Sequence, residues 1–269
     1  MKNKGIGKTA LVTGGTSGIG LASAEALRDR GCRVWVLSRH PAAELDGITS
    51  LAADVTDEAS VKAAVDTILA EAGRIDILVN CAGSGISGAI EFTESADAKR
   101  QFEVNFFGMA NVTKAVLGPM RQAGGGMIVN ISSVAAPVAI PFQAYYSASK
   151  AAINAYSAAL ANEVRPFGIH VTAIQPGDIR TGFTAARAKS AVGDDVYGGR
   201  ISRSVSKMEH DEMTGMDPAK AGTAIARQAL KKRVPPVSTI GAAYKAVTFL
   251  ARILPASLFN RIIGNLYAN

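Results

Sequence analysis

The chain has 269 residues, of which 48% are hydrophobic and 19% are charged. This composition supplies a large apolar core and excludes an intrinsically disordered chain, and the length suits a single α/β domain. The formal net charge of +7 indicates either a solvated basic surface or a preference for anionic partners such as nucleotide phosphates. Two cysteines, Cys32 and Cys81, exclude a disulfide framework and a four-cysteine zinc site.

The sequence has no evident targeting signal and no apolar run long enough to cross a bilayer, so we expect a soluble, cytoplasmic protein. The three histidines, at positions 40, 170 and 210, are scattered and lack the spacing of metal ligands. We therefore expect no metal site, and nothing in the sequence predicts a nucleic-acid partner.

Short β-branched runs alternate with longer helical patterns along most of the chain. The predicted strands are Thr9–Thr13, Arg33–Leu37, a weaker Ser50–Ala53, Asp76–Asn80, Gly126–Ile131 and His170–Gln175. The predicted helices are Gly18–Arg30, Asp57–Ala72, Ala96–Arg121, Tyr145–Arg165 and Asp217–Lys232. Apolar strands separated by helices predict a doubly wound parallel sheet, of the Rossmann type, with helices on both faces. We find no linker or repeat, so one domain spanning residues 1–269 is predicted.

Two C-terminal segments have a different character. Phe183–Met216 is polar, contains glycine and has no regular pattern, and its length predicts a lid over the substrate. Residues 241–269 contain apolar side chains at helical spacing, interrupted at Pro255. Such an amphipathic extension packs within the molecule or against another subunit, touches a lipid bilayer surface, or covers the substrate, and the sequence leaves these alternatives open.

A glycine-rich loop, T-G-G-T-S-G-I-G, follows the first predicted strand and opens the first helix. Gly14 permits a tight turn, while Gly18 and Gly20 let the backbone approach a phosphate and pack the helix on the sheet. The free N–H groups and positive dipole of the helix N-terminus attract a pyrophosphate. The loop therefore predicts a dinucleotide site.

The motifs T-G-x-x-x-G-x-G, N-x-A-G and Y-x-x-x-K occur in order from Thr13, Asn80 and Tyr146. Together they resemble the main branch of the short-chain dehydrogenase/reductase family, over residues 8 to about 181. One departure is Cys81, where that family often has a second asparagine. The resemblance implies a hydride transfer between a nicotinamide cofactor and a carbonyl or alcohol, without a metal.

The family's acid/base tyrosine stands four residues before its lysine, which here selects Tyr146 rather than the adjacent Tyr145. Residues four apart share a helix face, so Lys150 lies one turn from Tyr146, whereas Tyr145 is rotated by about 100°. The resemblance implies that Tyr146 exchanges a proton with the substrate oxygen. Lys150 holds the nicotinamide ribose and, with the cofactor's positive charge, is expected to lower the pKa of Tyr146.

The resemblance also implies a serine that hydrogen-bonds the substrate oxygen. The family spacing of thirteen positions before the tyrosine selects Ser133 over Ser132. The fourth family residue corresponds to Asn105, which implies a proton relay through water to Lys150. The alternative for Asn105 is a buried side chain that only satisfies structural hydrogen bonds.

The second predicted strand ends in Ser38 and Arg39 and carries no acidic residue there, which favours NADP(H) over NAD(H), because arginine pairs with a 2′-phosphate. The cofactor contacts that the resemblance implies are Gly14, Thr16, Ser17, Gly18, Ile19, Gly20, Ser38, Arg39, Asp54, Val55, Asn80, Ala82, Gly83, Tyr146, Lys150, Pro176, Gly177, Ile179 and Thr181.

The C-terminal layout is similar to the steroid and retinol dehydrogenase members of the family. We therefore expect an NADP(H)-dependent oxidoreductase for a hydrophobic ketone or alcohol that is steroid-, retinoid- or lipid-like. The alternatives are a 3-oxoacyl thioester reductase and a non-catalytic NADP(H)-binding sensor. The resemblance also implies a homodimer or homotetramer, and peripheral membrane contact through the C-terminus is among the expectations.

Overall fold

A computed structural model describes residues 5–268; residues 1–4 and 269, the two ends of the predicted domain, lie outside the described residues. Seven parallel strands form the central sheet in the order β3-β2-β1-β4-β6-β7-β9, and two two-residue strands, β5 and β8, pair separately. The strands are β1 Thr9–Thr13, β2 Arg33–Ser38, β3 Ile48–Ala52, β4 Ile77–Asn80, β5 Ile86–Ser87, β6 Gly126–Ile131, β7 Ile169–Pro176, β8 Ala188–Lys189 and β9 Val237–Ile240.

Helices connect the strands and cover both faces of the sheet. They are α1 Gly18–Arg28, α2 Glu58–Ala72, α3 Ser95–Phe102, α4 Gly108–Gln122, α5 Ala144–Glu163, α6 Phe183–Ala186, α7 Arg200–Met213, α8 Pro218–Ala229, α9 Ala242–Ile253 and α10 Ala256–Tyr267. The chain order and the all-parallel pairing make this the doubly wound, Rossmann-type sheet that the sequence predicts.

Alternate residues of each strand enter two separate cores. In β1, Ala10 and Val12 pack on the side that α1 and α8 cover, with Leu27 and Ile225. Leu11 points to the opposite side, where α2, α4 and α5 pack. Because both faces are buried, the strands are continuously apolar, which is why the sequence pattern locates them well.

The predicted helix Ala96–Arg121 is one continuous helical rod with an irregular middle. A π-helical segment, Glu103–Phe107, separates α3 from α4 and contains the buried Asn105. Single-turn π segments inside α-helices widen the coil locally and are frequent at functional sites. This segment turns Asn105 inward beneath the carboxyl edge of the sheet.

Besides the short β5, β8 and α6, two longer elements were not predicted from the sequence. β9 pairs with β7 as the seventh strand of the sheet. The segment interpreted as irregular contains α7, a helix of 14 residues that buries Ile201, Ser204 and Met208. The Asp194 carboxylate accepts hydrogen bonds from the Ile201 and Ser202 N–H groups, at 2.8 Å and 3.1 Å, and so caps α7 from outside it. The sequence pattern did not predict α7, because the helix is polar and its capping residue is not adjacent to it in the sequence.

Candidate functional site

A cavity of about 350 Å³ opens at the carboxyl edge of the central sheet. Its walls come from the glycine loop, the ends of β4, β6 and β7, the start of α5, and α6 with the end of α7. The predicted site residues that line it are Gly14, Ser17, Gly18, Ile19, Gly20, Ala82, Gly83, Ser133, Tyr146, Lys150, Pro176, Gly177, Ile179 and Thr181. Motifs far apart in sequence therefore meet at one place, the usual ligand position of such sheets.

The glycine loop is shaped by close backbone contacts. Gly14 has a φ of +63°, and a Cβ atom there would lie 3.0 Å from the Ala82 Cα atom. A Cβ atom on Gly20 would lie 2.1 Å from the Gly14 carbonyl oxygen. The Ser17 side chain caps no N–H group of α1. The first turn of α1 thus faces the cavity with free N–H donors, and the loop fits the pyrophosphate of a dinucleotide.

Ser133, Tyr146 and Lys150 converge on the floor of the cavity. Lys150 is buried, and its Nζ atom donates a 2.9 Å hydrogen bond to the Ile131 carbonyl oxygen while lying 5.6 Å from the centre of the Tyr146 ring. A hydrogen bond from Ser133 acts on the Tyr146 hydroxyl. The three groups share one polar pocket, so a substrate oxygen placed there would face the phenol and the serine hydroxyl together.

Burial governs the ionisation of this cluster. It raises the pKa of Tyr146 to about 12, against the lowering effect of Ser133, and it lowers the pKa of Lys150 to about 8. In the protein alone burial is the largest effect on both groups, because desolvation disfavours each charged form. The expected lowering of the Tyr146 pKa, which includes the cofactor's positive charge, stays a prediction. Tyr146 is therefore held as a neutral phenol, the form that can give a proton.

The neighbouring Tyr145 points elsewhere. It lines a different surface cavity, of about 360 Å³, together with Phe102, Glu103 and Phe107. Tyr146 instead packs against Phe183, with ring centres 5.8 Å apart. The two adjacent phenols are thus on different sides of α5, as the helical period predicts.

Asn105 lies behind the cavity, next to Gly83. Its Oδ1 atom accepts a 2.8 Å hydrogen bond from the Ser84 N–H group, and its Nδ2 atom donates to the Ser84 carbonyl and to the Ser149 hydroxyl, each at 3.1 Å. A Cβ atom on Gly83 would lie 3.2 Å from Asn105 Oδ1 and 3.7 Å from Lys150 Nζ. Asn105 therefore fixes the turn after β4 beside the lysine, while the relay role stays a prediction.

The remaining predicted cofactor residues do not line the cavity. Thr16 donates a 3.2 Å hydrogen bond to the Ser38 hydroxyl, which ties the glycine loop to the end of β2. Asn80 is buried, and its Nδ2 atom donates to the Thr113 hydroxyl and to the side-chain Oδ1 atom of Asn130, at 3.0 Å and 2.9 Å. Asn80 therefore joins β4, α4 and β6 behind the site.

Arg39 is exposed at the end of β2 and close enough to Asp54 to act on its charge. The Asp54 carboxylate accepts hydrogen bonds from the Thr56 N–H and hydroxyl groups, at 2.9 Å and 2.8 Å, which lower the pKa of Asp54. Asp54 is thus fixed in the turn after β3, and Val55 packs beneath Gly108. The end of β2 is left with a guanidinium group free to meet an anion.

The substrate side of the cavity holds two acidic residues that sequence reasoning did not select, Asp178 and Glu212. Glu212 forms a buried ion pair with Arg187 and accepts a 2.7 Å hydrogen bond from the Thr184 hydroxyl. The Asp178 carboxylate accepts a 2.7 Å hydrogen bond from the Tyr244 hydroxyl. Asp178 directly follows the predicted cofactor residues Pro176 and Gly177, so its position in the sequence could have indicated it. Glu212 lies on α7, a helix that the sequence did not predict.

Asp178 differs from Glu212 in having no ion-pair partner among residues 5–268. Burial raises its pKa, as do the neighbouring Asp211 and Glu212 carboxylates, while the Tyr244 hydrogen bond opposes that rise. The Asp178 charge also acts on the Tyr146 phenol. A half-buried carboxylate thus stands close to the catalytic candidate, and Lys207, the cation that acts on its charge, forms its own ion pair with Asp211.

The fold and the glycine loop define a dinucleotide-binding protein. The profile of the short chain dehydrogenase family matches residues 8–191, more than half of the chain. The chain belongs to the short-chain dehydrogenase family, whose members are oxidoreductases that bind a nicotinamide cofactor. The similarity of its C-terminal layout to steroid and retinol dehydrogenases stays a prediction.

Individual relatives resemble most of the chain. A 3-ketodihydrosphingosine reductase of Bacteroides thetaiotaomicron is 42% identical over 233 residues, which cover 86% of this chain and 87% of the relative. A short-chain dehydrogenase from Streptomyces avermitilis superposes with a TM-score of 0.83 at 32% identity, over 95% of this chain and 94% of that one. A 3-ketoacyl-(acyl-carrier-protein) reductase from Brucella melitensis, solved with NADH, gives a TM-score of 0.73 at 26% identity, over 87% and 97%.

Proposed function

We propose that this protein is an NADP(H)-dependent reductase of a long-chain, lipid-like ketone, with a 3-keto sphingoid base as its substrate class. The observation that carries the proposal is the convergence of Ser133, Tyr146 and Lys150 with the glycine loop in one cavity. Hydride chemistry is supplied by the nicotinamide when it is bound, and the residues of the chain provide the acid, the oxygen-binding group and the charge.

In the reductive direction, a hydride adds to the carbonyl carbon and the Tyr146 phenol gives its proton to the carbonyl oxygen, which yields the alcohol. The Ser133 hydroxyl donates a hydrogen bond to the same oxygen as negative charge develops there. The Tyr146 phenolate that remains is stabilised by the nearby Lys150 ammonium, and it regains a proton from solvent. Oxidation of the alcohol is the reverse sequence.

The acidic wall of the cavity supports an amino ketone as substrate. A 3-ketodihydrosphingosine, the compound in the name of the Bacteroides relative, is a long-chain amino alcohol whose ketone adjoins the carbon that bears the ammonium group. We assign the ammonium to Asp178, which lacks a cationic partner and lies near Tyr146. An ion pair formed on binding would satisfy the charge of this half-buried carboxylate.

The apolar part of the substrate would follow the apolar side chains that line the cavity. These are Val134, Ile140, Phe183 and Ala186. Such a surface suits an alkyl chain, since buried apolar area is the main source of affinity for a hydrophobic ligand.

Arg39 supports the choice of NADP(H). The end of β2 is the position at which an acidic residue would accept hydrogen bonds from an adenine-ribose 2′-hydroxyl. This chain has Ser38 and the exposed Arg39 at that position. A guanidinium group forms paired, charge-assisted hydrogen bonds with a phosphate.

The test is NADPH oxidation by the purified protein with three substrates: 3-ketodihydrosphingosine, its N-acetylated derivative and a 3-oxoacyl thioester. We expect turnover of the free amino ketone, a strong preference for it over the N-acetylated compound, and slower rates with NADH. Turnover of the thioester alone would assign the protein to acyl metabolism. Tight NADPH binding without turnover of any ketone would instead support the sensor alternative.

A further inference from the structure

The last two helices carry much of the exposed apolar surface. Thirteen large apolar side chains are exposed among residues 5–268, and six of them lie between positions 249 and 266. We call these six the C-terminal apolar face: Phe249, Leu250, Ile253, Leu258, Ile262 and Leu266. Apolar groups clustered on an exposed surface indicate an interaction site, whereas scattered ones do not.

The C-terminal apolar face follows the helical period. On α10, Leu258, Ile262 and Leu266 recur every fourth residue, so they form one stripe. On α9, Phe249 and Ile253 are also four apart. Each helix thus has an apolar stripe directed to solvent, while few of its residues, such as Thr248 and Ile263, are buried against the body of the protein.

Basic side chains border these stripes. At 100° per residue, Lys245 and Arg252 project about 40° and 60° to one side of Phe249 on α9. Arg261 projects about 60° to the same side of Leu258 on α10. All three are exposed. This is the arrangement of a helix that lies in a membrane interface, with apolar groups below and cations at the level of the lipid head groups.

The positive charge of the chain is concentrated in its C-terminal fifth, and three of those cations, Lys245, Arg252 and Arg261, belong to α9 and α10. Residues 218–269 contain eight Lys and Arg residues and no Asp or Glu. Residues 1–217 contain the other 21 basic side chains and all 22 acidic ones, which leaves a net charge of −1. The overall value of +7 is therefore a property of the C-terminal segment, and its natural partner is an anionic surface.

α9 and α10 are fixed to the protein rather than trailing from it. The Tyr244 hydroxyl donates to Asp178 at 2.7 Å, and the Tyr267 hydroxyl donates to Asp211 at 3.4 Å. Arg200 of α7 donates to the Ala268 carbonyl oxygen. These contacts hold the inner sides of both helices, so the C-terminal apolar face is presented outward in a defined orientation.

We propose that the C-terminal apolar face seats this protein on the surface of an anionic lipid bilayer, with Lys245, Arg252 and Arg261 at the head groups. No helix among residues 5–268 is long and apolar enough to cross a membrane, so the attachment lies in the plane of the interface. A second copy of this chain is a poorer occupant, because a symmetric contact would bring Lys245, Arg252 and Arg261 of two copies together with no acidic side chain on α9 or α10 to offset them.

If the proposed function holds, the position of α9 links the C-terminal apolar face to the substrate cavity. The Tyr244 ring lies so close to Gly177 that a Cβ atom there would be 2.2 Å from it, and Gly177 lines the cavity. Seating α9 on a bilayer would bring the cavity wall near the membrane, where a long-chain substrate resides. Vesicle binding itself requires no turnover, so it is measured separately from the proposed function.

The experiment is co-sedimentation of the full chain with two kinds of vesicle, pure phosphatidylcholine and a 3:1 mixture of phosphatidylcholine and phosphatidylglycerol. We expect binding to the anionic vesicles and much weaker binding to the neutral ones, with affinity falling as salt is added. Reversal of two cations, Arg252→Glu with Arg261→Glu, should weaken binding at least about 30-fold. Removal of apolar side chains, Ile262→Asn with Leu266→Asn, should weaken it at least about tenfold.

Matched variants change the same properties elsewhere on the surface. Lys99→Glu with Arg165→Glu alters the net charge equally, and Val192→Asn with Val196→Asn removes two exposed apolar groups outside the face. Both controls should bind vesicles like the original protein, and circular dichroism should show all four variants folded. The proposal is overturned if the controls weaken binding equally, if neutral vesicles bind as well as anionic ones, or if the Ile262 and Leu266 changes only convert a dimer to a monomer.

Discussion

Residues 5–182 and residues 183–268 contribute to the cavity in different ways. The first region supplies the glycine loop, Ser133, Tyr146 and Lys150 from the ends of buried strands and one long helix. The second supplies Phe183, Glu212 and the Tyr244 support of Asp178 from helices that pack on the sheet's edge. The reaction chemistry is thus built on the rigid sheet, and the groups that would select a substrate are added by later packing.

The largest effect is expected from the chemical centre of the first region. Tyr146→Phe removes the proton donor but keeps the ring that packs on Phe183, so kcat should fall about 10³-fold with little change in Tm. The adjacent Tyr145→Phe is the matched control and should retain nearly full activity, because Tyr145 lines another cavity. If kcat fell equally in both variants, Tyr146 would have no catalytic role that distinguishes it from Tyr145 on the other face of α5.

The contact between the two regions is tested by Asp178→Asn, which removes the carboxylate that Tyr244 of the second region supports but keeps the shape of the side chain and an acceptor for Tyr244. We expect kcat/KM for the amino ketone to fall about 100-fold, the scale of one buried charge-assisted hydrogen bond. The N-acetylated ketone should be affected by less than about threefold. Asp195→Asn, an exposed change, serves as the control, and equal losses on both ketones would indicate a structural rather than a charge-recognising role for Asp178.

Arg39→Ala tests whether the first region also sets cofactor choice. Loss of the guanidinium group should reduce the preference for NADPH over NADH about tenfold, mainly through the KM for NADPH. Arg165→Ala, another exposed arginine, should leave the preference unchanged. An unchanged preference in Arg39→Ala would mean that another group distinguishes the two cofactors.

The smallest effect is on stability. Burial lowers the pKa of Lys150 to about 8, so above that pH the unfolded chain binds this proton more tightly than the folded protein does. The contribution of Lys150 to the free energy of unfolding therefore rises with pH. Relative to Lys150→Met, the free energy of unfolding of the original protein should increase by about 1 kcal/mol between about pH 7.5 and 9. Urea denaturation at the two pH values measures it, and a flat difference would contradict the lowered pKa.

The sequence predicted the first region well because its signals are local. Both faces of β1, β2 and β4 are buried, so each appears as an apolar run with turn residues beside it. The second region has one such local signal, since the predicted helix from Asp217 is observed as α8, and the Asp217 carboxylate caps it through the Ala219 N–H group at 2.8 Å. Boundaries moved by only a few residues, as at the end of α1, because helix ends depend on packing.

Two elements of the second region, α7 and β9, were not predicted because their signals are not local. α7 is polar and receives its cap from Asp194, outside the helix. β9 is short and is defined by its pairing with β7. The sequence shows that Lys150 is near Tyr146, but it does not show how completely both groups lose water on burial.

By itself the sequence determined the doubly wound sheet, because strand burial and the helical period act over a few residues, and its glycine spacing predicted the dinucleotide loop. The choice of Ser133, Tyr146 and Lys150 followed from the resemblance of the motifs to the family. Only the tertiary structure decided that Arg187 neutralises Glu212 across 25 positions and that Tyr244 supports Asp178 across 66. It also decided that the apolar stripes of α9 and α10 face outward. Such pairings depend on how distant segments pack, which no local pattern encodes.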